Sequence, residues 1–280
     1  MQKRALAVHD ISCVGRCSLT VALPILSAAG INTAIIPTAL LSTHTGEFTG
    51  YTHLDLSAQL LPITKHIASL KLPFDAFYSG YLASPQQAHQ LMEMLTLVTD
   101  EKTHIMVDPA FADHGRLYSL MDSAMPGQMR KLCEKAHTIV PNRTEASFLL
   151  NKPYLPDGYD EAYITDLSQE LADLGPENIV ISDVSFTPEE TGIAVYQKGM
   201  EKPSFFFTPR YEGRFHGTGD VFASFLLSGL LNDCSLTEAA QLALRLTHES
   251  IVHTLSDQQP LRYGVQFERV LSTLITALKI

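Results

Sequence analysis

The segment Gly217-Thr-Gly-Asp220 stands directly before a strongly apolar run that ends at Leu231. A glycine pair at a helix start lets the backbone approach an anion closely. It also aims free N–H groups and the positive end of the helix dipole at that anion. Asp220, in the first turn of the same helix, puts a carboxylate beside it. The combination suits phosphoryl transfer, with N–H groups stabilising charge on the moving group and the carboxylate taking a proton from the attacking hydroxyl. Such a base needs little pKa tuning, because its proton leaves late in a loose transition state. A bare GxGD is more often only a glycine turn with Asp near a helix start, so the motif needs support from elsewhere in the chain.

Other phosphate and catalytic signatures are missing from the sequence. There is no GxxxxGK[ST] loop, and Gly217-Thr-Gly219 lacks the third glycine of a dinucleotide fingerprint. No GxSxG elbow or protein-kinase HRD/DFG set occurs. His248-Glu249 with His253 fails as a zinc helix, because that motif needs its histidines at i and i+4. Cys13, Cys17, Cys133 and Cys234 are scattered, which reads as reduced thiols.

Polar residues that follow apolar runs form a second candidate set: Asp10, the Ser42–Gly46 run, Tyr81, Asp108, Asn142 with Glu145, and Ser182-Asp183. In open α/β sheets, ligands bind beyond the carboxyl ends of the strands, so these positions belong at the site. Asp and Asn also cap helices, and Asn142-x-x-Glu145 is a capping-box-like pattern in its own right. Spacing alone leaves both readings open.

The elements that must position these residues alternate along the chain. Strands are expected at 5–11, 31–41, 74–80, 103–109, 137–142 and 178–183, with a hairpin around Lys198-Gly199. Helices are expected over Ser18–Ala29 with Gly30 closing it, from a Ser84 cap to Thr99, over 125–136, and over Asp160–Leu174. The chain then turns helical, over Gly217–Leu231, from a capping box at Ser235–Glu238 towards Leu255, and over Val265–Lys279. Alternation with apolar strands predicts an α/β fold, a three-layer α/β/α sandwich with a mostly parallel central sheet. No repeat or long linker divides residues 1–280, so one domain is expected.

Composition bounds the function. The 280 residues are 45% hydrophobic and 18% charged, enough for a large core. Twenty basic against thirty acidic residues give a net charge of −10, which argues against a general nucleic-acid or anionic-membrane binder. No apolar run reaches membrane-spanning length and the start is unlike a signal peptide, so a cytoplasmic protein is expected.

Five segments together resemble a known family. Gly213–Leu227 resembles the GTGD signature of the ribokinase-like small-molecule kinases. Ser42-Thr-His-Thr-Gly46 with Phe48-Thr-Gly50, Ser79-Gly-Tyr-Leu-Ala-Ser84, Val107-Asp-Pro109 and Val140-Pro-Asn-Arg-Thr-Glu145 resemble the pyridoxal (vitamin B6) kinase branch. Their order and spacing match across most of the chain. The resemblance implies a ribokinase-like fold and ATP-dependent phosphorylation of a B6 vitamer's hydroxymethyl group. It implies Asp220 as catalytic base and Gly217, Thr218 and Gly219 as anion hole. Thr45 and Tyr81 would line the vitamin pocket. Asp108, Asn142 and Glu145 would lie near Mg²⁺-ATP, with Asp108 and Glu145 reaching the metal through water. Ser182 and Thr208 would border the nucleotide. The family also implies Mg²⁺, help from a monovalent cation such as K⁺, and a homodimer.

Asp10 departs from the family pattern, where a Ser commonly faces the pyridine ring. It is similar in this respect to the hydroxymethylpyrimidine kinases, the sister branch. A carboxylate there favours a protonated ring nitrogen or an ammonium group, so pyridoxamine is expected to serve at least as well as pyridoxal. A pyrimidine or sugar alcohol as substrate, or a vitamin and nucleotide binder without turnover, are the alternatives. Gly46–Gly50 and Phe111–Gly115 are candidate covering loops on glycine content.

Overall fold

The computed structural model describes residues 2–118 and 121–280. In chain order the elements are β1 (Arg4–Val14), α1 (Leu19–Ala28), β2 (Asn32–Thr43), β3 (His53–Asp55), α2 (Ser57–Ser69), β4 (Ala76–Ser79), α3 (Pro85–Val98) and β5 (His104–Val107). There follow β6 (Ala112–Asp113), β7 (Arg116–Leu117), α4 (Met125–Cys133), β8 (Thr138–Ile139), α5 (Arg143–Leu149), α6 (Glu161–Asp173), β9 (Asn178–Val184), β10 (Glu190–Gln197) and β11 (Ser204–Pro209). The chain closes with α7 (Thr218–Leu231), α8 (Leu236–Ser256), two short 3-10 turns, Leu261–Tyr263 and Phe267–Val270, and α9 (Leu271–Leu278).

Nine strands form one sheet in the order β11-β10-β9-β8-β5-β4-β1-β2-β3. The six central strands run parallel, and antiparallel pairs finish each edge. Alternating βα connections dictate this arrangement, since parallel neighbours need a crossover, usually a helix on a sheet face. The faces carry separate apolar cores. One packs α1, α7, α8 and α9 against residues such as Ala5, Ala7 and Tyr78. The other packs α2 to α6 against Leu6, Val8 and Phe77. Strict alternation along β1 thus feeds both cores, and the three-layer α/β/α sandwich stands as the sequence predicts.

Local chemistry explains the helix boundaries. Gly30, at φ 74°, ends α1. Ser84 accepts from the Gln87 N–H to start α3, with Pro85 in the first turn. Ser235 and Glu238 complete a capping box for α8. The structure departs from expectation in three places. The segment with β3 and α2 carries no clear periodic signal, and α2 contains Pro62. Phe111–Gly115 leads into the small β6–β7 hairpin. The helix expected over Val265–Lys279 begins only at Leu271, because Phe267–Val270 takes 3-10 form. Among the described residues, no helix is long and apolar enough to cross a membrane.

Candidate active site

Chain order reverses around β1, which leads to β2 on one side while β4, β5, β8 and β9 follow on the other. Such a switch point leaves a crevice beyond the strand ends. A cavity of about 1040 Å³ lies there. It is lined by Asp10, Thr45, Tyr81, Asp108, Asn142, Glu145, Ser182, Thr208 and Gly217 through Asp220, whereas Ser42 and Thr43 of the Ser42–Gly46 run are not part of its wall.

Asp10 sits where the β1–β2 register slips between His9 and Ile11, a bulge of the kind that re-aims a side chain next to a site. Ser18 Oγ donates to its Oδ1 at 2.5 Å and Ser12 Oγ donates to its Oδ2 at 3.2 Å. Burial raises the Asp10 pKa, and the two hydroxyls oppose that rise. Tyr81 follows β4, and burial pushes its phenol up to about 12, so it is a hydroxyl donor at any working pH. Thr45 lies in a loop packed against the far end of the chain. His44 Nε2 meets the Arg262 carbonyl at 2.6 Å, and His216 Nε2 lies 3.4 Å from Glu47.

The start of α7 is built by close approach. Gly217 has φ 73°, and a Cβ there would fall 1.9 Å from the Arg16 carbonyl oxygen. Only glycine fits. The same carbonyl would meet a Cβ on Gly264 at 2.7 Å, and the Arg16 N–H donates to the Tyr263 carbonyl at 3.0 Å. The β1–α1 loop is therefore wedged between the turn that opens α7 and the Leu261–Tyr263 3-10 turn. Asp220 lies in the first turn of α7 with its side chain 16% exposed. Burial pushes its pKa up to about 7, with Asp10 adding to the rise and the Ser18 backbone N–H opposing it. This rise comes from burial that the sequence pattern does not reveal.

On the opposite wall, Asn142 and Glu145 form a complete capping box. Asn142 Oδ1 accepts from the Glu145 N–H at 2.9 Å, and Glu145 Oε2 accepts from the Asn142 N–H at 2.8 Å. Glu145 Oε1 also accepts from the backbone N–H of Phe111 at 3.1 Å, and Asn142 Nδ2 donates to the Ala112 carbonyl at 2.8 Å. These two residues thus cap α5, tether the β6–β7 hairpin and border the cavity at once. Burial holds the Asp108 and Glu145 carboxyls well above the usual carboxylate range; the Asp220 charge adds to the rise at Asp108, and Asp108 adds to that at Glu145. Ser182 lies within β9 and Thr208 within β11, where Thr208 Oγ1 donates to the Thr191 carbonyl at 3.3 Å.

A divalent cation would relieve the repulsion between Asp108 and Glu145. Glu145 already spends an acceptor site of each oxygen on backbone N–H groups, which leaves it suited to a metal-bound water. Among the described residues, no group of three or more His, Cys, Asp or Glu side chains could hold a metal directly. That donor set fits Mg²⁺, which keeps several waters and leans on substrate phosphates.

Residues the sequence reading passed over also line the cavity. Among the described residues, Arg116 and Arg214 are its basic side chains other than histidine, against seven carboxylates, with no lysine. Among the described residues, every other arginine has a side-chain hydrogen bond or ion pair. His44 and His216 stand inside quoted motifs, so their positions were available, but their cross-chain contacts were not. His9 carried no signal at all.

Comparison with known proteins agrees with this geometry. Residues 23–261 match the phosphomethylpyrimidine kinase family. A provisionally named phosphomethylpyrimidine kinase from Bacteroides thetaiotaomicron, solved in a crystal form with pyridoxal, is 34% identical with a TM-score of 0.93, over 98% of this chain and 96% of that one. The pyridoxal kinase from Lactobacillus plantarum is 28% identical with a TM-score of 0.90, over 99% and 98% of the two chains. A Schizosaccharomyces pombe protein provisionally named a pyridoxal kinase is 28% identical over 90% of this chain and 85% of its own. This chain is a kinase of ribokinase-like fold and belongs to the phosphomethylpyrimidine kinase family, in its pyridoxal-kinase-like branch.

Proposed function

We propose that the protein transfers the γ-phosphoryl group of ATP to the exocyclic hydroxymethyl group of a B6 vitamer, giving the 5′-phosphate. One observation carries the reading: the half-buried Asp220 carboxyl at the Gly217–Gly219 turn shares a single cavity with Asp10, Thr45 and Tyr81 and with Asp108, Asn142 and Glu145. The vitamin lies over the β1 and β4 ends, where Asp10 and Tyr81 meet its polar groups. The nucleotide lies along the sheet edge past Asn142, Ser182 and Thr208, with its terminal phosphate at the start of α7. Asp108 and Glu145 would hold Mg²⁺ through water, and the ion would supply charge neutralisation at the phosphates. Arg116 and Arg214 add the cationic partners that an otherwise acidic cavity needs for a polyphosphate.

Asp220 takes the hydroxyl proton as the oxygen attacks. The backbone N–H groups of Gly217, Thr218 and Gly219 receive charge on the transferring group without reorganising. Thr218 Oγ1 donates to the Phe215 carbonyl at 3.0 Å, which holds the turn rather than the ligand. Asp10 in place of a neutral hydroxyl favours a cationic substrate, and pyridoxamine is the B6 vitamer with an ammonium group. The relative solved with pyridoxal supports a B6 compound over a pyrimidine.

The test is ADP release with Mg²⁺-ATP against pyridoxal, pyridoxamine, pyridoxine, hydroxymethylpyrimidine and ribose. Turnover on the B6 compounds is expected, with Asp220→Asn lowering kcat at least ~10²-fold. Turnover on the pyrimidine alone would overturn the substrate and keep the mechanism. Binding of both ligands with no ADP release would mark a carrier instead.

A further inference from the structure

Directly behind the base stands a histidine whose ring is out of contact with solvent. His9, on β1, has 0% relative exposure, and neither ring nitrogen has a hydrogen-bond partner among the described residues. Buried polar atoms are rarely left so. Its Nδ1 lies 4.0 Å from Asp220 Oδ1. The ring stands edge-on to Tyr78 with centroids 4.3 Å apart, which fixes its plane. A Cβ on Gly80 would fall 2.2 Å from Nδ1, so the ring keeps this place only because residue 80 has no side chain.

We propose that His9 is a positioning residue for the catalytic base: its Nδ1–H closes onto Asp220 Oδ1 in the loaded enzyme and leaves the second carboxylate oxygen to the acceptor hydroxyl. The inference rests on the reading of Asp220 as the base. Burial keeps the imidazole neutral, with its pKa lowered to about 3, so the ring has one N–H to give. A distance of 4.0 Å is too long for a hydrogen bond, but bonds of this kind are often long before substrate arrives and tighten in the complex. Asp10, the next residue on β1, is already occupied by Ser12 and Ser18.

Two measurements decide it. In ¹⁵N–¹H NMR of the full chain, His9 should be the neutral tautomer protonated at Nδ1, with a resonance that moves in Asp220→Ala. A ring protonated at Nε2, or one indifferent to Asp220→Ala, would sink the proposal even if the enzyme phosphorylates no B6 compound. In steady-state kinetics, His9→Phe should lower kcat about 10-fold, the effect of one lost hydrogen bond to a charged group, with both KM values within twofold. His9→Asn, which retains an N–H near Nδ1, should keep kcat within about threefold of the parent. Equal loss in both variants, or loss confined to KM, would assign His9 to packing alone. If His9→Phe does not fold, Gly80→Ala serves instead. It should lower kcat in the parent by displacing the ring, and should have little effect in the His9→Asn background; additive losses would count against the coupling.

Discussion

As the proposed base, Asp220 must be ionised to accept a proton, yet burial and the neighbouring Asp10 hold its carboxyl up to about 7. A raised pKa leaves the acid form dominant below that value. In kcat/KM for the vitamin, which reports the free enzyme, activity should therefore fall as pH drops through about 7, and a limb lying near pH 4 would show that the carboxylate is not desolvated as described. Asp10 makes a second residue-scale prediction. Asp10→Ser removes the charge that favours an ammonium, so the pyridoxamine/pyridoxal ratio of kcat/KM should drop about 10-fold, one pKa unit of differential interaction. An unchanged ratio would free Asp10 from any part in vitamer choice. The residues of the site were largely readable in the sequence because chemistry-bearing types followed apolar runs, as Asp10, Asp108 and Asn142 do. Their protonation was not readable, because it depends on what lies across the cavity. His9 was silent for the same reason: its meaning comes from Gly80 and Asp220, neither of which is its sequence neighbour.

At the scale of elements, the two glycines at the α7 start have different duties. Gly217 occupies left-handed backbone against the Arg16 carbonyl, whereas a Cβ on Gly219 would meet nothing within 4 Å. Gly217→Ala should lower both Tm and kcat, the latter by at least ~10-fold, since the N–H groups of the turn must shift. Gly219→Ala should leave Tm unchanged, and a drop equal to that of Gly217→Ala would contradict the account. The same scale explains which elements the sequence announced. Helices with side-chain caps, such as α3 and α8, could be placed from Ser84-Pro85 and Ser235–Glu238. The helix α2 could not, because Pro62 interrupts its pattern at a nominal cost of ~3 kcal/mol that tertiary packing must offset. The three-residue strand β3 is too short for periodicity, and the Phe267–Val270 turn hides the true start of α9.

The whole cavity has a charge imbalance that only a cation-rich ligand, or cationic side chains, can correct. Arg116 approaches from the β6–β7 hairpin and Arg214 from the turn that leads into α7. Replacing either with Gln should raise KM for the nucleotide about fivefold, near 1 kcal/mol, and leave the vitamin KM unchanged. An effect on the vitamin alone would place the arginines at the wrong end of the cavity. The architecture itself was legible because alternating strands and helices admit few solutions, and both faces of β1 had to be covered. What joins its two ends was not: the β1–α1 loop is held between Gly217 and the Tyr263–Gly264 turn, and His44 rests on the Arg262 carbonyl. During synthesis β1, β2 and the Ser42–Gly46 loop emerge long before these partners do. A chain still on the ribosome therefore carries Asp10 and Tyr81 without Asp220, the Gly217–Gly219 turn or the Tyr263–Gly264 turn that braces it. On the proposed reading it has no means of transferring a phosphoryl group until Gly217–Asp220 and the Tyr263–Gly264 turn have closed on the β1–α1 loop.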